Sequence, residues 1–286
     1  MKRIQGWYGA LGTGLSLLLL VCAPVTARDG LSLSAGAEYS SGDYGGTSSI
    51  DQLYVPLTAR YRSGRWGLRL TVPFLSVSAP PGTLIIDSGG MGTGTGTGMT
   101  TALGGVTGSR TGGGEVLPGA GSSTTQSGLG DVIAGATLYD VVNSAALNTA
   151  IDLTGKIKFG TADYDKGLGT GENDYAVQAD AYSYLGRLTT IVEGGYRLRG
   201  DPPGYDLNNT AYGAVGGSWH MHPDLRAGLI YQASQAPIDG GSGAREATLF
   251  VTRDLSARHR FTAYVLKGFS DGSPDWGAGL LFTASL

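Results

Sequence analysis

Charged residues are scarce in this sequence, and long apolar runs are almost absent. Charged side chains make up 15% of the chain and hydrophobic ones 41%, which excludes the charge-rich, apolar-poor composition of disordered proteins. The net charge of −3 gives no basic surface for nucleic acid. After the first 27 residues there is no apolar run of about 18 residues, the length of a transmembrane helix. Any span across a membrane must therefore be made by β-strands.

Cysteine is limited to one residue, which lies in a predicted export signal. Residues 1–27 begin with basic residues, continue through the apolar stretch 15–23 and end on short side chains up to Ala27, as secretory signal peptides do. A lipoprotein anchor on Cys22 is disfavoured, because a valine precedes it where a small residue is expected. Cleavage after Ala27 leaves a mature chain, residues 28–286, without a thiol or a disulfide.

Apolar and polar residues alternate with a period of two along the mature chain, and this pattern predicts twelve strands. The predicted strands are residues 31–39, 53–61, 66–74, 131–140, 149–160, 174–184, 188–199, 209–221, 225–234, 245–254, 260–268 and 276–286. Strands of this length cross a bilayer at a tilt, and an even number of them closes a barrel without unpaired edges. We therefore expect residues 28–286 to form one all-β, antiparallel transmembrane β-barrel.

Short and long connections alternate between the predicted strands, as they do in outer-membrane barrels. Tight turns fall near 63–64, 185–187 and 222–224, with a longer inner turn at 141–148. The long links are residues 40–49, 80–128, 161–173, 200–208, 235–244 and 269–275. With both termini in the periplasm, every long link is extracellular. The longest one is glycine-rich, which favours a mobile outer loop over a plug in the barrel mouth, because glycine-rich chains resist a fixed shape.

Aromatic residues on the apolar face of the strands form two girdles. The outer girdle contains Tyr39, Phe74, Phe159, Tyr175, Tyr196 and Trp276, and the inner one contains Tyr61, Trp66, Trp219, Phe261 and Phe282. Two girdles around an aliphatic belt are typical of a lipid-facing wall. The charges on that face are Arg245, Arg253 and Lys267, at strand ends where they can reach the interface. These features disfavour a soluble β-sandwich or β-solenoid, which would also alternate.

The other strand charges face inward and predict a polar lumen. We expect the solute path to be lined by Glu38, Arg60, Arg69, Asp152, Lys156, Lys158, Asp180, Tyr182, Glu193, Arg197 and Tyr264. The same face also carries Arg199, Arg226, Tyr54, Tyr139 and Tyr184. The charges either line a narrow open path or neutralise one another in a salt-bridge network. The tyrosines either stack on flat solutes or fill space.

Residues suited to catalysis or to cofactor binding are few. The three histidines, His220, His222 and His259, fall at the periplasmic ends of strands or in inner turns, so a barrel hydrolase or protease would lack its general base. The acidic residues between 163 and 174 lack the spacing of a calcium loop and favour a solvated loop. The sequence thus predicts neither an enzyme nor a metal or cofactor site.

Four segments carry a family resemblance: SGLGDV (127–132), KFGTADYDKGLGTGENDY (158–175), YRLRGDPPGYDLNN (196–209) and LKGFSDGSPDWGAGL (266–280). Together they resemble the MetA-pathway of phenol degradation family, over most of the mature chain. The resemblance implies an outer-membrane barrel associated with uptake of phenolic or other hydrophobic compounds. The matched residues, which we expect to shape loops near the outer mouth, are Gly167, Leu168, Gly169, Asp174, Ser273, Pro274, Asp275 and Trp276. KFGTAD departs from the family's K-x-P-T-G pattern, so the entrance of that loop differs.

These observations predict an outer-membrane channel or transporter of a Gram-negative bacterium, for passive uptake of small hydrophobic or aromatic, phenol-like compounds. The alternative is a structural or adhesive barrel with a filled lumen and surface-contact loops. The expected partners are outer-membrane lipid, a small aromatic solute and the barrel-insertion machinery, and no nucleic acid. The insertion machinery is expected because the last strand alternates up to Leu286, as an insertion signal does.

Overall fold

A computed structural model describes residues 29–87 and 115–286. The predicted signal peptide and the most glycine-rich part of the link 80–128 lie outside the described residues. The strands are β1 (Gly30–Gly42), β2 (Ile50–Ser63), β3 (Trp66–Ala79), β4 (Leu84–Ile85), β5 (Val116–Leu117), β6 (Thr124–Leu129), β7 (Val132–Ser144), β8 (Thr149–Phe159), β9 (Asp174–Leu185), β10 (Leu188–Leu198), β11 (Thr210–His222), β12 (Leu225–Ser234), β13 (Arg245–Asp254), β14 (His259–Gly268) and β15 (Trp276–Ser285). Within the described residues, no α-helix is long and apolar enough to cross a membrane.

The long strands close into one antiparallel barrel with twelve strand positions. We call each position a stave, because one of them is shared by two strands, β6 and β7. Each stave pairs with its neighbours in sequence, and β15 returns to β1 in a register that places Ala37 opposite Leu280. One stave is broken in two, because β6 pairs with the outer half of β3 and β7 pairs with its inner half. The short strands β4 and β5 pair only with each other in the described structure. The prediction of a twelve-stranded antiparallel barrel is confirmed.

The observed strands depart from the predicted ones mainly at the outer rim. There β1, β2 and β3 extend farther toward the long links than the alternation indicates, β4 and β5 lie within the link 80–128, and β6 begins in it. The expected long inner turn at 141–148 is shorter than predicted, because β7 runs on to Ser144. The ladder between β7 and β8 shifts register between Leu138 and Val142, where Asp140 has a φ of 51°. This bulge bends the stave before the chain turns.

The two faces of the wall differ in chemistry, as the alternation predicts. Outward side chains in the middle of the strands are aliphatic and exposed, among them Leu57 at 59%, Val177 at 66% and Leu229 at 54%. Their inward neighbours are polar or charged and buried, such as Thr58 and Lys156. An apolar belt of this extent is far larger than the patches that soluble proteins expose. It is the surface of a barrel that lies in lipid.

Aromatic side chains border the apolar belt at both ends. At the outer rim the rings of Tyr39 and Trp276 pack with their centroids 5.6 Å apart. At the inner rim the ring of His259 stacks on Phe282 at 5.7 Å. Aromatic borders of this kind mark the two membrane interfaces. The closed barrel and its bordered belt place the chain in the bacterial outer membrane.

The described ends of the long link fold into the barrel mouth, and we call them the inserted segment (residues 80–87 and 115–123). Ile85 in β4 is completely buried, and Val116 in β5 is nearly so. Both pack in one apolar cluster with Leu75 and other inward-facing side chains of β2 and β3. The expectation of a mobile outer loop is therefore wrong for the buried residues 83–87 and 115–117. Their apolar side chains favour burial, although the link as a whole is rich in glycine.

Candidate functional site in the lumen

The inward faces of the strands enclose a polar lumen, which is the candidate site. Of the side chains predicted to line the solute path, those buried inside the barrel are Glu38, Arg69, Asp152, Lys156, Lys158, Asp180, Tyr182, Glu193, Arg197 and Tyr264. The remaining one, Arg60, is partly buried. Closure of the barrel brings these residues around one interior, while their part in solute transfer stays a prediction. The outer half of the lumen is the end with the long links, and the inner half is the end with the tight turns.

Lys158 is the most completely enclosed cation of the outer half. Its Nζ lies 2.8 Å from Asp174 Oδ2 and 3.6 Å from Asp131 Oδ2. The same nitrogen donates to the carbonyl oxygen of Ile86 at 3.2 Å and to the hydroxyl of Thr170 at 3.1 Å. Each carboxylate also accepts a backbone N–H from an outer loop. The contact with Ile86 ties the inserted segment to β8.

The inserted segment presents two carboxylates to the opposite part of the mouth. Asp87 Oδ2 lies 3.3 Å from Arg197 Nη1, and Glu115 Oε2 lies 3.2 Å from the same atom. Glu115 also pairs with Arg199 and accepts a hydrogen bond from the Ser234 hydroxyl at 3.0 Å. Arg197 belongs to β10, Arg199 directly follows it, and Ser234 ends β12. Glu115 therefore joins the segment to two strands of the wall. Ion pairs between the wall and the inserted segment thus narrow the outer half.

The glycine-rich family motif lies against the inserted segment. The carbonyl oxygen of Gly167 accepts the N–H of Ile85 at 3.0 Å. Gly167 has a φ of +69°, and a Cβ there would lie 2.2 Å from the carbonyl oxygen of Thr83. Leu168 is buried in the same apolar cluster as Ile85, and Gly169 likewise has no room for a side chain. Close approach of two backbones explains the glycine at 167, and the side chains of Ala162 and Asp131 leave room only for glycine at 169.

The second family motif, residues 273–276, lies at the outer rim where the barrel closes. The Ser273 hydroxyl accepts the N–H of Arg245 at 2.8 Å and donates to its carbonyl oxygen at 3.2 Å. Residues 274 and 275 pack on Gly42, where a Cβ would lie 2.5 Å from the nitrogen of Asp275. Trp276 points away from the lumen into the outer girdle. These contacts hold the ends of β1, β13 and β15 together.

A chain of hydrogen bonds crosses the middle of the lumen wall. Lys156 donates to the amide oxygen of Gln178 and to the Tyr212 hydroxyl, the latter at 3.2 Å. The amide nitrogen of Gln178 donates in turn to Asp180 Oδ1 at 2.7 Å. Staves β8, β9 and β11 each contribute to this chain, so the middle of the lumen offers both donors and acceptors beside a phenol ring.

Aromatic rings in the lumen lie flat against glycines of the neighbouring stave. Tyr212 stands opposite Gly195 across β10 and β11, and Tyr264 stands opposite Gly279 across β14 and β15. A Cβ added at either glycine would lie 2.3 Å from the ring Cζ. The hydroxyl of Tyr264 reaches Glu38 Oε2 at 2.5 Å. Glycine thus lets each ring lie along the wall instead of standing across the lumen.

The arginines of the inner half have two kinds of surroundings. Arg226 and Arg260 share Asp254, at 2.7 and 2.5 Å. Arg60 and Arg69 instead stand directly opposite each other across β2 and β3. In the described part of the chain neither of them forms an ion pair, and Nε of both residues is buried with no acceptor from the protein.

Sequence reasoning identifies most of the wall charges and misses several of their partners. Asp87 and Glu115 are the only acidic residues between 80 and 128, and each adjoins a short apolar run, which is the signal that could have found them. The alternation of β9 predicts that Gln178 faces the lumen, but a neutral amide does not indicate that it bonds to a charged residue. Tyr212 also lies on the inward face of its strand, and its pairing with a glycine requires the register of β10 and β11.

The histidines lie away from the charged outer half. His220 and His222 end β11, and His259 begins β14, all on the side of the tight turns. His222 bonds Asp224 within its turn. Among residues 29–87 and 115–286, no three His, Cys, Asp or Glu side chains are grouped to hold a metal ion.

A closed barrel with a lipid-facing belt and a polar lumen defines an outer-membrane β-barrel protein. The chain belongs to the MetA-pathway of phenol degradation family, which it matches over residues 58–286. It is similar in fold to an outer membrane channel from Pseudomonas putida F1, with 12% identity and a TM-score of 0.62 over 91% of this chain and 96% of that one. The translocator domain of the autotransporter NalP from Neisseria meningitidis has 11% identity and a TM-score of 0.50, over 92% and 91% of the two chains. No curated protein sequence matches the chain.

Proposed function

We propose that this barrel is an outer-membrane channel for the passive uptake of small hydrophobic or aromatic, phenol-like compounds. The observation that carries the proposal is the lumen wall, where tyrosine rings lie flat beside charged and amide groups. Such a wall can stack on the face of a flat ring and bond a hydroxyl at its edge. Membership in a family described by phenol degradation supports the same class of solute.

The proposed path passes the inserted segment and continues through the middle of the lumen. There Lys156 and Gln178 lie next to the ring of Tyr212, with the Lys156 nitrogen 5.2 Å from the ring centroid. A phenol that stacks on this ring can exchange hydrogen bonds with the lysine and the amide. Each contact is weak enough to be released, as passage through a channel requires.

A structural or adhesive barrel with a filled lumen is the second candidate. The observation that favours it is the ion pairing of Asp87 and Glu115 with Arg197, because these pairs hold the inserted segment in the mouth. A segment that never leaves this position would seal the outer half. The two candidates therefore differ in whether ions and solutes pass.

Single-channel recording separates these candidates. The refolded mature protein, residues 28–286, is inserted into a planar bilayer, and its conductance is recorded with phenol or with cyclohexanol, which has the same ring size without aromaticity. We expect discrete openings that phenol reduces at concentrations where cyclohexanol has no effect. The expected difference arises because only the aromatic ring stacks on the tyrosines.

Two results would contradict the proposal. A barrel that is folded and inserted but electrically silent would exclude the channel and support the filled barrel. Equal reduction of the current by phenol and cyclohexanol would exclude aromatic selection and leave a channel for small solutes in general.

A further inference from the structure

We infer that Arg60, Arg69 and Tyr139 form an anion-binding station in the inner half of the lumen, which takes the carboxylate of a small aromatic acid such as benzoate. The inference rests on the proposed function, because it gives the channel a class of solute, the ionised aromatic acids. It depends on a group of buried polar atoms that have no hydrogen-bond partner among residues 29–87 and 115–286.

The three residues come together on adjacent staves. Arg60 of β2 and Arg69 of β3 are directly opposed in the antiparallel ladder. Tyr139 of the next stave lies so close to β3 that a Cβ on Gly67 would be 2.2 Å from its hydroxyl oxygen. The guanidinium carbon of Arg62 sits 4.0 Å from the centroid of the same ring. Arginine side chains and a phenol thus share one patch of the inner wall.

In the described part of the chain, the buried polar atoms of this patch are mostly arginine donors that lack an acceptor. Nε and Nη2 of Arg60, Nε of Arg69 and the hydroxyl of Tyr139 are all buried without a hydrogen-bond partner from the described chain. Arg69 is 7% exposed and Tyr139 is 1% exposed. The residue directly opposite Arg60 in the ladder is Arg69, which carries the same positive charge.

Within the described residues, no carboxylate forms an ion pair with Arg60 or Arg69. Asp254 holds Arg226 and Arg260 at 2.7 and 2.5 Å, and Asp152 Oδ1 accepts the backbone N–H of Asp140 at 2.9 Å. Like charges directly opposite each other in a sheet destabilise it, and buried charges require a counter-ion or hydrogen bonds. A carboxylate placed between the two guanidiniums would supply both. Its two oxygens match the forked donors of arginine better than a single chloride ion does.

Aromatic surface around the two arginines favours an acid that carries a ring. The ring of Tyr139 lies against Gly67 of β3 and beneath the guanidinium of Arg62. A benzoate bound through its carboxylate would therefore place its ring beside this phenol ring on the wall. Aliphatic acids of the same size would make the same ion pair without this stacking.

Direct binding tests the station independently of conductance. Refolded protein in detergent is titrated by calorimetry with benzoate, with the neutral analogue benzyl alcohol and with the aliphatic acid cyclohexanecarboxylate, in a low-chloride buffer. We expect benzoate to bind more tightly than either of the others. The variant Arg69→Gln should weaken benzoate about tenfold, as loss of a charge-assisted hydrogen bond does. The control Arg253→Gln removes the same charge from a side chain that is 64% exposed, and it should bind like the wild type.

Stability gives a second readout that does not require binding. Because Arg69→Gln removes repulsion from Arg60, the variant should resist urea at least as well as the wild type without benzoate, and benzoate should stabilise the wild type alone. Equal binding of benzoate and benzyl alcohol, or unchanged benzoate binding in Arg69→Gln, would overturn the station while the phenol-sensitive channel stands. A silent barrel that binds benzoate through Arg69 would instead refute uptake and keep the station.

Discussion

The outer and inner halves of the lumen contain the same kinds of charge in opposite circumstances. In the outer half, Lys158 and Arg197 are surrounded by carboxylates, two of which come from the inserted segment and two from the wall. In the inner half, Arg60 and Arg69 face each other without a carboxylate in ion-pair contact among the described residues. The outer charges therefore bind the chain to itself, as Asp254 binds Arg226 and Arg260 in the inner half, and we infer that Arg60 and Arg69 are available to a bound anion.

This difference explains why the salt-bridge network and the solute path are not exclusive alternatives. A buried charge that has its partners contributes structure and specificity, and breaking such a pair is strongly destabilising. A buried charge without partners keeps its capacity to bind an ion of opposite sign. One barrel thus uses inward charges to hold its mouth and, as we infer, to select its solute.

Removing Lys158 should have the largest effect on stability. The variant Lys158→Met leaves Asp131 and Asp174 buried without their cation, and loss of one partner from a buried ion pair destabilises a protein by about 3–5 kcal/mol. Urea titration of the refolded barrel in phospholipid vesicles measures the free energy of unfolding. The control is Lys166→Met, whose side chain is 46% exposed in its pair with Asp163 and should leave this free energy unchanged. Equal effects of the two variants would remove the distinction between enclosed and exposed pairs.

Neutralising Glu115 should loosen the inserted segment with a smaller loss of stability. Glu115→Gln removes the charge that holds Arg197 and Arg199 and keeps an oxygen that can accept from Ser234. Hydrogen bonds to charged groups contribute about 1.5–3 kcal/mol, so we expect a loss within this range. Because the segment narrows the mouth, the unit conductance should rise. Asp163→Asn, which neutralises a carboxylate on an outer loop, serves as the matched control. A lower conductance in Glu115→Gln would show that the segment does not restrict the mouth.

Two adjacent glycines allow the flat packing of Tyr212 to be tested. A Cβ at Gly195 would lie 2.3 Å from the Tyr212 ring, whereas a Cβ at Gly194, on the lipid face, meets nothing within 4 Å. Gly195→Ala should push the ring into the lumen and lower the conductance, with an overpacking loss of about 1–3 kcal/mol. Gly194→Ala should change neither. Indistinguishable conductance of the two variants would mean that the ring does not border the path.

The sequence predicts the wall of this barrel far better than its contents. Alternation and the aromatic girdles depend on which face of a strand touches lipid, and the polarity of each side chain indicates that face. The alternation of short and long connections indicates which ends of the strands are extracellular. The pairing of Arg60 with Arg69 is not predicted, because the expected tight turn at Ser63 and Gly64 would place Arg60 opposite Gly67, whereas the turn in the structure lies one residue later and Ser63 pairs with Trp66.

The position of the inserted segment could not be predicted from the sequence. Its position depends on ion pairs between Glu115 and Arg197, residues 82 apart in the chain, and no local pattern relates them. Glycine content correctly indicates a chain without its own preferred shape. It does not reveal that contacts with the wall hold residues 83–87 and 115–117 in place.

The smallest effect on stability is expected for the ion pair of Lys166 with Asp163, which lies outside the lumen. It is the reference against which the effects of the enclosed pairs are compared. A hydrogen bond from Lys166 holds the pKa of Asp163 below its ordinary value of 3.8. The pair therefore favours the folded state above that value and loses its contribution as the pH falls through the lowered pKa of Asp163. Lys166→Gln should raise the pKa of Asp163 toward 3.8, as followed by carboxyl carbon resonances, and should lower urea stability at pH 7 only slightly, because solvent screens the exposed pair. A clear loss of stability at pH 7 would mean that outer-loop pairs hold the barrel as the mouth pairs do, and the contrast between enclosed and solvated charge would have to be abandoned.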